Sequence, residues 1–141
     1  MLILVAVDGS ESSRRAVEWC ARIAPALGAE VIALHALEDP VYAVPRADAL
    51  AIGPLPDEVR RGVRDLLEAD WCAPFAAAGI AFRAELAEGP AAPAVIEAAR
   101  RNDADLVVVG RRGRGGFAEL ELGSVGHQLA HHLGRPLTIV P

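Results

Sequence analysis

Apolar residues follow two rhythms along this chain. Short runs occur at 2–7 (LILVAV), 31–37 (VIALHAL), 80–86 (IAFRAEL), 106–109 (LVVV) and 137–140 (LTIV). Each is strand-length, and the unbroken ones suit a parallel sheet covered on both faces. Between them the apolar positions recur at helical spacing. Ala16, Val17, Cys20, Ala24 and Leu27 mark a helix running from Ser10, a capping residue, to Gly28, with Pro25 expected to distort its last turn. Val59, Val63, Leu66 and Leu67 predict the core stripe of a long helix capped by Asp57 and ending near Pro74 to Gly79. Val95, Ile96 and Ala99 mark a helix after Gly89 and Pro90. The last helix opens at Ser124, buries Val125, Leu129 and Leu133, and stops at Gly134. Glu38 to Pro56, with Pro40, Pro45, Pro54 and Pro56, reads as a loop that is long for a compact domain and a candidate lid or partner surface.

Strands alternating with helices predict an α/β fold, a single doubly wound five-stranded parallel sheet with helices on both faces. The chain of 141 residues is one domain's worth, with no internal repeat or linker. In such sheets ligands sit beyond the carboxyl ends of the strands, where the winding reverses. For the order 3-2-1-4-5, taken here as the working assumption, that point lies between strands one and four. Asp8 ends the first and Gly110 ends the fourth, so two residues far apart in sequence would flank one crevice.

Composition narrows the function. The formal charge is −5, which argues against generic binding to nucleic acid or anionic membrane. No apolar run approaches the roughly 18 residues of a membrane span, and the start lacks the basic region and cleavage site of a signal peptide, so a cytoplasmic protein is expected. Cys20 and Cys72 lack CxxC spacing and read as buried thiols.

The densest basic cluster, Arg111, Arg112 and Arg114, is threaded through Gly110, Gly113, Gly115, Gly116 and Gly123, directly after the fourth strand. Alone the arginines would read as a solvated loop. Beside five glycines and a helix start at Ser124 they read as a phosphate cradle, because backbone amides there can approach an anion closely. The spacing decides which cradle. Walker A requires a lysine, and the chain contains none. GRGGFA at 113–118 satisfies the dinucleotide fingerprint, but it follows the wrong strand and no acidic residue lies beyond Glu121 to answer it. What remains is Gly110, two residues, Gly113, nine residues, Gly123 and Ser124.

This pattern resembles the ATP-binding signature of the universal stress protein family. The opening MLILVAVDGSESSRRAVEWCARIA is similar to that family's first strand, aspartate and first helix, VIALHAL to its second strand, and LGSVGHQLAHHLGRPLTIVP to its last helix and strand. Only 38–56 lacks a clear counterpart. The resemblance implies one domain over residues 1–141 with an adenine nucleotide alpha hydrolase-like fold. It implies ATP with Mg²⁺ in the crevice, the nucleoside against Asp8, the backbone around Ala6 and the backbone of Ala36. The phosphates would lie on Gly110, Arg111, Arg112, Gly113, Arg114, Gly115, Gly116 and the turn of Gly123, Ser124 and Val125. Asp8 has a bland alternative as a helix cap, and Ser124 caps a helix with or without nucleotide. The chain departs from the family at Arg111 and Arg112, where serine or histidine is common, at Gly126, where a hydroxyl residue is common, and at Pro90, one residue early.

Other chemistry is less well supported. His127 and His131 in HQLAH have zinc-helix spacing, but Gln128 replaces the glutamate of metal-dependent hydrolases, and both fall off the apolar stripe. Ser124 sits in GSVG, not GxSxG. Without lysine no side-chain Schiff base forms. A phosphoryl-accepting receiver domain needs clustered aspartates, and only Asp8 is available. No catalytic residue is assigned. The expected protein is an ATP-binding stress-response sensor or adaptor with slow hydrolysis at most, and autophosphorylation at Ser124 is a weaker branch. A dimeric protein interaction module without nucleotide is the alternative. A true ATP-consuming enzyme would need a second pocket from 38–56. Family resemblance further implies a homodimer through the last strand, an apolar edge otherwise exposed; the downstream partner is not legible.

Overall fold

The computed structural model describes residues 1–38, 55–113 and 122–141. Strand β1 (Leu2–Ala6) leads to helix α1 (Glu11–Leu27) and β2 (Glu30–Leu37). Helix α2 (Asp57–Leu66) continues through a π-helical turn (Leu67–Trp71) into the short α3 (Ala73–Ala77). Then follow β3 (Phe82–Glu88), α4 (Ala91–Arg101), β4 (Leu106–Gly110), α5 (Ser124–His132) and β5 (Leu137–Val140). The five strands form one all-parallel sheet in the order β3-β2-β1-β4-β5, as expected, and the winding reverses between β1 and β4.

The pleat divides the apolar runs between two cores. Ile3, Val5, Val31, Ala33 and Val108 face α1 and α3, packing with Val17, Cys20, Cys72 and Phe75. Leu4, Ile32, Leu34, Val107 and Val109 face α4 and α5, packing with Val95, Ala99, Leu129 and Leu133. Burial on both faces is why β1 reads as an unbroken apolar run. The Cys20 and Cys72 thiols lie in the first core, where burial pushes both up to about 12, so neither is a nucleophile near neutral pH.

Helix α1 is bounded as its sequence suggests. The Ser10 side chain accepts the Ser13 amide at 3.1 Å, and Gly28, at φ 56°, closes the other end. Pro25 sits within the last turn, which still runs to Leu27.

Several boundaries differ from expectation. The cap of α2 is Pro56, with Asp57 as its first residue. Its predicted stripe is not a core face: Val59 is 44% exposed and Leu66 49%, whereas Leu67 is fully buried. The reason lies at the sheet edge. The inward face of α2 carries Arg60, which pairs with Glu88, and Arg64, whose guanidinium donates to the Ala84 carbonyl at 3.1 Å. These arginines serve edge strand β3, and the π turn then rotates the chain so that Leu67, Cys72 and Phe75 enter the core. Strand β3 starts at Phe82 because the Ile80 amide is used in closing α3 on the Phe75 carbonyl. Helix α5 is capped by Gly123, so Ser124 is its first residue and makes no side-chain cap bond; its last residue is His132 and Gly134, at φ 63°, stops it as expected. No described helix is long and apolar enough to cross a membrane.

The inverted exposure of neighbouring leucines gives a direct check. In urea denaturation, Leu66→Ala is expected to change stability by about 0.5 kcal/mol or less, while Leu67→Ala costs about 2–5 kcal/mol through the cavity it leaves. Equal losses would place both side chains in the core.

Candidate functional site

A crevice of about 430 Å³ opens beyond the carboxyl ends of β2, β1 and β4. Its walls explain why those strand ends carry the residues they do. After β1 the chain turns at Asp8, whose carboxylate accepts the Ser10 amide at 2.9 Å, and enters α1. The first turn of α1 supplies three hydroxyls. Ser13 Oγ accepts the Asp8 amide at 3.4 Å and donates to the Ser10 carbonyl at 2.9 Å. Ser12 Oγ accepts the Arg112 amide at 3.1 Å, and Ser10 Oγ donates to the Arg112 carbonyl at 3.5 Å. Ser12 and Ser13 are 7% and 4% exposed, so these bonds satisfy buried hydroxyls.

The glycines of the loop have separate reasons to be glycine. A Cβ on Gly110 would lie 2.5 Å from the carbonyl carbon and oxygen of Ser12, so this glycine lets the first turn of α1 press against the end of β4. On Gly113 it would lie 2.7 Å from Asp8 Oδ2. Asp8 and the glycine loop therefore meet, as the topology implied. On Gly123 it would lie 3.2 Å from the Arg111 carbonyl, which accepts the Gly123 amide at 2.9 Å. The Arg111 amide donates to the Val140 carbonyl at 2.7 Å, anchoring the loop to β5.

Ten residues singled out from sequence line this one crevice: Ala6, Asp8, Ala36, Gly110, Arg111, Arg112, Gly113, Gly123, Ser124 and Val125. Arg114, Gly115 and Gly116 lie outside the described residues. The lining also includes residues that the sequence reading passed over. His35 Nδ1 bonds the Val7 carbonyl at 2.7 Å, and its ring meets the edge of Trp71 at 5.0 Å between centroids. Glu38 accepts the Ala91 amide at 3.3 Å, placing a carboxylate at the amino end of α4. Val7, Ser13, Leu34, Ala91, Val95, Val109 and Gly126 line the rest. A histidine inside an apolar strand and three serines in one helical turn were the available signals.

Charge changes along the crevice. Glu38 stands at the β2 end, the Asp8 carboxylate lies in the middle against Gly113, and Arg111, Arg112 and the first amides of α5 stand beyond β4. Such a cleft suits a ligand with hydroxyls or heterocyclic nitrogens at one end and an anion at the other. His127 and His131 are not part of it: they are exposed on α5, their rings 4.8 Å apart.

Comparison with known proteins agrees with this architecture. The model of the universal stress protein family matches residues 1–141, and the chain belongs to that family. It is 30% identical to the universal stress protein YxiE of Bacillus subtilis, over 98% of this chain and 97% of the relative. A solved universal stress protein in complex with cAMP aligns with a TM-score of 0.71 and 27% identity, covering 100% of this chain and 96% of the other. The universal stress protein of Archaeoglobus fulgidus in complex with dAMP shares the fold, with a TM-score of 0.70 and 21% identity over 100% and 98% of the two chains.

The Gly110 contact is testable without a ligand. Because the obstacle is helix backbone, Gly110→Ala is expected to destabilise the protein by about 1–3 kcal/mol through overpacking, measured by urea denaturation. An unchanged midpoint would show that α1 does not press on β4 as described.

Proposed function

We propose that the crevice binds an adenine nucleotide, ATP with Mg²⁺, and that the protein acts in the cytoplasm as a nucleotide-dependent sensor or adaptor in stress response. The observation that carries this reading is the meeting of Asp8 with the glycine loop inside one cleft. Asp8 would accept ribose hydroxyls, and the backbones of Ala6 and Ala36 would meet the base. At its basic end Gly110 to Gly113 and the turn at Gly123, Ser124 and Val125 would take the phosphates, with Arg114, Gly115 and Gly116 assigned there by sequence alone. The Asp8 carboxylate, close beside Gly113, is an oxygen donor of the kind Mg²⁺ prefers and would hold the ion together with phosphate oxygens. The nucleotide complexes of the two structural neighbours support this reading.

Rapid hydrolysis is not part of the proposal. The chain has no lysine to grip the phosphates. The candidate bases are occupied: Asp8 with the Ser10 amide, Glu38 with the Ala91 amide and His35 with the Val7 carbonyl. None is placed to direct a water in line with a terminal phosphate. Slow turnover, or phosphate transfer to the exposed Ser124, is the most this arrangement would give.

Calorimetric titration of ATP with Mg²⁺ tests the reading. Saturable binding is expected for the wild type, weakened by about tenfold or more (about 1.4 kcal/mol) in both Gly113→Val, which drives a side chain onto Asp8, and Asp8→Ala. Absence of binding to the folded wild type would favour a nucleotide-free interaction module instead. A homodimer through β5 is proposed alongside: this strand is the sheet edge, with Leu137 and Ile139 only partly buried. Light scattering at micromolar concentration should give twice the chain mass, and a monomer mass would contradict this.

A further inference from the structure

Helix α5 carries a pair of imidazoles that the crevice does not use. His127 and His131 lie four residues apart on its exposed face, with ring centroids 4.8 Å from one another. Neither ring is tied to a carboxylate or a carbonyl among the described residues. The helix is held from its other side. Leu129 and Leu133, each two residues on and so about half a turn round, are buried in the core shared with α4 and β4. The His127 amide donates to the Gly123 carbonyl at 3.0 Å, closing the first turn. The backbone that spaces the two rings is therefore fixed before any ligand arrives, which lowers the entropic cost of gathering two donors.

Two imidazoles so placed can share one metal ion. Metal–imidazole bonds of about 2.0–2.1 Å require the two nitrogens to stand roughly 3 Å apart, and rings with centroids 4.8 Å apart reach that by side-chain rotation without backbone movement. His131 lies in the last turn of the helix, where carbonyls without helical partners favour a cation. The donor set then names the ion. No group of three ligating side chains forms among the described residues, so the site offers two imidazole nitrogens and water completes the shell. Mg²⁺ and Ca²⁺ prefer oxygen ligands. Imidazole suits Cu²⁺, Ni²⁺ and Zn²⁺, and two protein ligands impose too little geometry to displace Cu²⁺ from the head of the ordinary affinity series. Gln128 stands where a zinc hydrolase has its glutamate, so an ion here is held and not put to hydrolysis.

We propose that His127 and His131 form a surface chelate for a divalent transition-metal ion, with Cu²⁺ preferred over Ni²⁺ and Zn²⁺. The ion bridges successive turns of α5, a geometry that exists only in the folded helix, so binding stabilises the fold. The amino end of the same helix lends Ser124, Val125 and Gly126 to the crevice. The chelate itself lies on the solvent face and stands whether or not the crevice takes a nucleotide.

The experiment is calorimetric titration of the full chain, without nucleotide, with Cu²⁺, Ni²⁺, Zn²⁺ and Mg²⁺ in turn, together with thermal melts at saturating metal. The wild type should bind Cu²⁺ most tightly, bind Ni²⁺ and Zn²⁺ more weakly, ignore Mg²⁺ and melt at a higher temperature with metal than without. His127→Ala and His131→Ala each leave one imidazole of the pair and should weaken binding by about tenfold or more. His132→Ala is the control: it removes an exposed imidazole whose ring lies 6.2 Å from that of His131, and affinity should stay nearly unchanged. All three positions are exposed and alanine is the better helix former, so the variants keep the fold, which their metal-free melts verify. Equal losses from the three substitutions would mark scattered binding to single histidines and overturn the proposal. Full affinity in His127→Ala or His131→Ala, or a wild type that binds none of the ions, would overturn it too. None of these results bears on nucleotide binding in the crevice.

Discussion

Helix α1 meets strand β4 at a place where no side chain fits. The first-turn backbone at Ser12 approaches so closely that a methyl group on Gly110 would overlap it, and much of the site follows from that contact. It brings Ser12 and Ser10 within reach of the Arg112 backbone, and Ser13 within reach of the Asp8 amide. One turn of helix therefore fixes both the residue after β1 and the loop after β4. The crevice between them is held by serine hydroxyls bonded to backbone, and its lining sets Val7, Leu34, Val95 and Val109 beside the polar loop. Moving α1 away would release Asp8 and the loop together.

That construction gives the cleft its two characters. Glu38 at the β2 end and Asp8 in the middle, against Gly113, are each tied to a backbone amide at the amino end of a helix. The end beyond β4 has arginines and the unsatisfied amides of α5. A parallel sheet with helices on both faces provides such a cleft wherever its winding reverses, and the chemistry is then set by what the strand ends carry. Here they carry a carboxylate and a glycine-rich, arginine-bearing loop side by side.

Much of this was legible in the sequence because the relevant signals are local. Unbroken apolar runs marked β1 and β4 because both faces of the sheet are covered, and the glycine spacing after β4 singled out the loop. Alternation of strands and helices marked the parallel sheet, whereas its order was an assumption that the structure bears out. What sequence could not show depended on contacts between distant segments. The stripe of Val59, Val63, Leu66 and Leu67 has helical spacing, yet the helix turns Arg60 and Arg64 to the sheet edge, and a π turn then changes the phase. Gly110 looked like a phosphate ligand by its company, but its lack of a side chain is first needed by α1. Ser12 and Ser13 carried no visible assignment, since a hydroxyl in a first helical turn has a solvent-exposed reading until its partner is known. Ser124 looked like a cap, and Gly123 holds that position.

The central claim is that one ligand spans both ends of this cleft. The most direct measurement is an amide-resolved NMR titration of the ¹⁵N-labelled protein with ATP and Mg²⁺, following every backbone amide at once. Asp8, Ala36, the amides of 111–113 and those of 123–126 are expected to shift together, along one saturation curve. Shifts confined to a single end of the cleft, or confined to the β5 edge, would contradict it.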